Sequence, residues 1–100
     1  MNKFEIDIDF EKVNFSELET EEDFRSEAKK ILPAALFQFG ETVAFKTWEE
    51  MQEKLPGKGS QSEKRRFIQE TGKNYQRKAS NRERQELEDY IVERLRQYKS

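Results

Sequence analysis

Residues 3–11 read Lys3-Phe4-Glu5-Ile6-Asp7-Ile8-Asp9-Phe10-Glu11, a strict alternation of apolar and charged side chains. Successive side chains of a strand point to opposite faces, so this pattern predicts a half-buried strand over residues 4–10. It would bury Phe4, Ile6, Ile8 and Phe10 and turn Glu5, Asp7 and Asp9 to solvent. A lone strand leaves its backbone groups unpaired and needs a partner. Within the chain the best candidate is residues 42–46, where Val43 and Phe45 also alternate. Otherwise the same strand of a second copy would serve, giving a homodimer.

Outward from this segment, helix start signals recur. Thr20-Glu21-Glu22-Asp23 opens a run whose apolar residues Phe24, Ala28, Ile31, Leu32, Ala35, Leu36 and Phe39 trace one helical face, with Gly40 placed to end it. Pro33 either kinks this helix or begins a second one. Thr47-Trp48-Glu49-Glu50 has the form of a capping box for a short helix ending before Pro56. Ser60-Gln61-Ser62-Glu63 starts a helix carrying Phe67 and Ile68, which stops at Gly72 or runs on through Tyr75. After Ser80-Asn81-Arg82-Glu83, a last helix shows the clearest stripe: Leu87, Tyr90, Ile91, Leu95 and Tyr98. The fold expected is therefore α+β and helix-dominated, with the N-terminal strand packed on four to five helices. Trp48, Tyr90 and Tyr98 are read as core or stripe residues, whereas Phe67 and Tyr75, lying among the cations, could stack on bases.

One hundred residues is the size of a single small domain, here taken as residues 1–100. Apolar residues are 33% and charged residues 40% of the chain, so the core depends on eight Phe, three Tyr and one Trp. There is no Cys and no His. Disulfides, thiolate chemistry and Cys-ligated zinc are excluded, and the commonest general base and metal ligand is missing. No catalytic, cofactor-binding or metal site is assigned, and the expectation is a protein that is not an enzyme and needs no cofactor. The weak candidate is the carboxylate row Glu5, Asp7, Asp9 and Glu11. Alternate carboxylates on a strand sit about 7 Å apart and could share Mg²⁺, but a solvated strand face looks the same. No P-loop, dinucleotide fingerprint or nucleophile elbow is present. The N-terminus lacks the apolar core of a signal peptide. The apolar-rich run at residues 31–39 is about half the length of a membrane span. The expected compartment is the cytoplasm, with no membrane partner.

Charge is divided along the chain. Residues 1–56 carry 7 Lys/Arg against 14 Asp/Glu, and residues 57–100 carry 12 against 7. Such asymmetry speaks to partners rather than to fold. The basic candidates are Lys64, Arg65, Arg66, Lys73, Arg77, Lys78, Arg82 and Arg84, with Lys58 ahead of them. Lys64, Arg82 and Arg84 fall near predicted helix N-termini, where cations are mildly unfavourable. That mismatch is consistent with a bound phosphate. The acidic candidates are Glu17, Glu19, Glu21, Glu22 and Asp23, which suit a helix start and could also dock on a basic protein. Because the net charge is only −2, the favoured function is a small non-enzymatic regulator or adaptor that binds a protein partner. The alternative is a nucleic-acid-binding protein using residues 58–84.

Overall fold

A computed structural model describes residues 6–57 and 59–99, and over these the chain is helical. Two 3₁₀ turns, Phe10–Lys12 and Phe15–Glu17, precede helices α1 (Glu21–Lys54), α2 (Gln61–Lys78) and α3 (Asn81–Lys99). At 1.5 Å per residue the 34 residues of α1 span about 51 Å, matching the molecule's long dimension of 52 Å. α2 runs back along the C-terminal half of α1, and α3 continues along its N-terminal half. Contacts between Trp48 and Phe67, Pro33 and Gln76, and Arg25 and Glu88 mark that antiparallel course. The architecture is a long helical hairpin whose return limb is broken once, at Ala79 and Ser80.

Each helix begins where a side chain satisfies its free N–H groups. The Thr20 hydroxyl accepts from the Asp23 N–H at 3.1 Å, and the Asp23 carboxylate accepts from the Thr20 N–H at 3.0 Å. Ser80 and Glu83 make the same reciprocal pair, both bonds at 3.1 Å. Ser60 accepts from the Glu63 N–H. The break in the return limb is closed by Arg84. Its guanidinium donates to the carbonyls of Gln76 at 3.0 Å and Ala79 at 3.2 Å. A cation at the start of α3 thus serves the negative C-terminal end of α2, which accounts for its position without a bound anion.

The α+β expectation is overturned: no strand is present among the described residues. Phe4 and Glu5 lie outside them. Residues 6–9 form no regular element, and Ile6 is buried as the alternation requires. The backbone of Asp7, however, is met by a side chain rather than a strand. Its N–H donates to Gln38 Oε1 and its carbonyl accepts from Gln38 Nε2, both at 3.0 Å. The chain then turns at Phe10–Lys12, capped by Asp9. The segment packs on its own α1 and offers no strand edge, among the described residues, through which a second copy could pair.

Residues 42–46 are not a strand either but part of α1, and among the described residues three α-helices replace the four to five expected. Pro33 neither ends nor divides α1, Gly40 does not terminate it, and Thr47 is not a cap. The hydroxyls of Thr42 and Thr47 donate to carbonyls one turn back, those of Gln38 and Val43. What keeps the helix going is a seam at every fourth residue: Phe24, Ala28, Leu32, Leu36, Gly40, Ala44 and Trp48, all buried or half-buried. Four residues exceed one 3.6-residue turn, so each step advances the seam about 40° around the helix. α3 and α2 consequently meet α1 on different sides.

The two halves of the hairpin are built differently. In the base, Phe24, Ala28, Ala35 and Leu36 of α1 pack with Leu87, Ile91, Val92 and Leu95 of α3, under Ile6 and Leu18 of the N-terminal segment. Tyr98 stacks on Phe10 at 4.3 Å and Phe15 at 4.8 Å. In the arm, α1 and α2 approach through small residues. A Cβ on Gly40 would lie 2.7 Å from Gly72 Cα and 2.8 Å from the Thr71 carbonyl oxygen, and one on Gly72 would meet Phe37 at 3.0 Å. Gly72, like Gly40, is a contact residue and not a helix stop.

Candidate protein-docking surface

The acidic candidates separate once the fold is known. Glu21 pairs with Arg25 at 3.4 Å and with Arg96 of α3. Asp23 is the reciprocal partner of the Thr20 cap, while Glu17, Glu19 and Glu22 remain exposed. Arg25 bridges to α3, contacting Glu88 at 3.0 Å and also Asp89. Hydrogen bonds from the backbone N–H groups of Thr20 and Glu19 hold the Asp23 carboxyl below its ordinary range. The Arg25 guanidinium does the same to Asp89.

Both pKa values are lower in the folded than in the unfolded chain, so the folded state binds fewer protons between them. The stability they contribute is present above the ordinary Asp pKa of about 3.9 and is lost as pH falls through the folded values. The melting temperature should therefore drop on acidification below about pH 4, and less steeply in Asp23→Asn. Thermal melts across an acid series check this; parallel curves for the two proteins would contradict it.

The basic candidates also divide. α2 carries six Lys/Arg against two Asp/Glu, whereas α3 carries five of each, so the excess positive charge of the C-terminal half resides on α2 and Lys58. Lys58 itself lies outside the described residues. Arg82 pairs with Glu86 at 3.2 Å, and Arg84 closes the α2 terminus. Arg65, Arg66, Lys73, Arg77 and Lys78 are exposed. Arg66, Lys73 and Arg77, seven and four residues apart, fall on the outer side of α2, away from α1. Lys64 lies over the Phe45 ring, 4.6 Å from its centroid.

That cation–aromatic contact marks a surface the sequence reading missed. Glu41, Thr42, Phe45, Lys46, Glu49 and Ile68 line a shallow open cleft between α1 and α2. Phe45 is 42% exposed and Ile68 half-buried. Among the described residues no third element covers this part of the arm, since the N-terminal segment reaches only as far as Gln38. The signal was present in the sequence, but assigning Phe45 to a strand separated it from Ile68. No three described acidic residues converge as metal ligands. Asp7 and Asp9 are exposed, with Asp9 engaged by the Glu11 N–H and by Lys12. No described helix is long and apolar enough to cross a membrane. Compared with known proteins, the chain matches no family model, no curated protein and no solved structure.

Proposed function

We propose that the chain is a non-enzymatic regulator or adaptor whose α1–α2 arm docks on a protein partner. The observation that carries this reading is Phe45, exposed beside Ile68 in an arm over which, among the described residues, no third layer lies as one does over the base. Large apolar residues contiguous with charged ones are the usual makeup of a docking patch. A second reading has its own support. Arg66, Lys73 and Arg77 form no ion pair with a described residue and line one exposed side of α2, which suits phosphate contacts.

Affinity capture from the native host, with and without nuclease, discriminates the two. A partner that survives nuclease and is lost with Phe45→Asp is the expected result. Capture abolished by nuclease would favour the second reading, as would oligonucleotide binding that weakens steeply with salt and is lost in Arg65→Ala/Arg66→Ala.

A further inference from the structure

The cleft in the arm has opposite charge on its two sides. Its α1 side carries Glu41 and Glu49, with Lys46 the one cation among the described lining residues, and Glu53 follows one turn on, beside Trp48 and Lys64. Its α2 side carries Ile68, with Lys64 lying over Phe45 and Arg65 one turn before Ile68 in the sequence. Phe45 and Ile68 form the apolar seam between them. Glu41, Glu49, Lys64 and Arg65 make no ion pair with any described residue; Lys64 lies over the Phe45 ring instead. A twofold interface requires one patch to complement itself. A patch acidic on one side of an apolar seam and basic on the other meets that condition, because a twofold axis through the seam lays each row over its opposite.

We infer that this face pairs with the same face of a second copy, α1 of each chain lying over α2 of the other in a four-helix arrangement. The inference rests on the docking reading above and names the occupant of the cleft. Phe45 and Ile68 of both copies become the buried centre, and Glu41 and Glu49 meet Lys64 and Arg65 across the interface. Pairing through this face leaves the base and its N-terminal segment untouched.

A charge exchange tests it. Glu41→Lys/Glu49→Lys makes both rows basic, and Lys64→Glu/Arg65→Glu makes both acidic. Sedimentation equilibrium from micromolar to millimolar concentration should show a reversible dimer for the unaltered chain. Each variant alone should self-associate at least about tenfold more weakly, equivalent to 1.4 kcal/mol, because every cross-interface pair becomes repulsive. Mixed in equal amounts, the two variants should form a mixed dimer, since each supplies the row the other lacks. Melting curves close to that of the parent establish that both variants fold. A parent monomeric throughout the range, variants that associate as the parent does, or a mixture that fails to pair would each overturn the inference. Nuclease-resistant capture abolished by Phe45→Asp would still stand in that case, and its absence would remove the docking reading as well.

Discussion

Replacing Ile91 by Ala is expected to lower the unfolding free energy by about 2–5 kcal/mol. Ile91 has no solvent exposure and lies between Leu87 and Leu95, both equally buried, on the face that α3 turns to α1. Truncating it removes apolar burial and leaves a cavity in the base core, which the surrounding residues can fill only by shifting out of their packed positions. A domain of this size is stable by roughly 5–15 kcal/mol, so the loss is a large share of the total. Phe67→Ala in the arm removes a larger side chain but should cost less, because Phe67 is only half-buried. Chemical denaturation of the two variants compares them directly. An unchanged midpoint for Ile91→Ala would mean that α3 is not docked, and a larger loss for Phe67→Ala would place the principal core in the arm.

Gly40→Ala tests the arm. In a free helix this substitution stabilises by about 0.8–1.0 kcal/mol. Here the added Cβ would meet backbone atoms, Gly72 Cα at 2.7 Å and the Thr71 oxygen at 2.8 Å, and neither can move without moving α2. Overpacking of this kind costs about 1–3 kcal/mol, so the clash outweighs the propensity gain and the net effect is destabilising. Gly40→Leu, with three more carbons aimed at α2, should cost more still. The location of the damage is as informative as its size. Hydrogen exchange should accelerate over α2 while the amides of α3 around Ile91 keep their protection, since the base has its own core. A raised melting temperature for Gly40→Ala would contradict the close approach.

Much of the helical punctuation was legible in the sequence. Thr20, Ser60 and Ser80 each start a helix because the chemistry of an N-cap is local, needing only an oxygen and an N–H three residues on. The Leu87, Ile91 and Leu95 stripe was equally plain, because these residues recur every fourth position on the face that α3 turns into the core. The failures came where the controlling contact is distant in sequence. Alternation over residues 3–11 was correct about the burial of Ile6, but only Gln38 reveals that a side-chain amide takes the role of a partner strand. Gly40 has the look of a stop and Thr47 that of a cap until Gly72 explains the first and the Val43 carbonyl the second. The seam of α1 escaped a search for one helical face because it turns with every step. Among the charges, Arg84 is assigned by the end of α2, which no local pattern announces, and the cleft emerges only when α2 brings Lys64 over Phe45.

The turning seam makes length a rotational variable in this molecule. α1 is the single rod shared by base and arm, and the two grip it at different azimuths. One residue inserted between the sites gripped by α3 and α2 would swing the arm through about 100° about the rod and lift it only 1.5 Å. The acidic and basic rows would then face a new direction, and at a helix spacing of about 8–10 Å the swing would also carry the end of α2 off the start of α3, parting the junction that Arg84 bridges. Seven residues would restore the azimuth to within about 20° but lengthen the rod by roughly 10 Å, opening a gap where Arg84 now bridges the return limb. Angular placement of the arm is thus written in the residue count of α1, separately from the side chains that hold either half together.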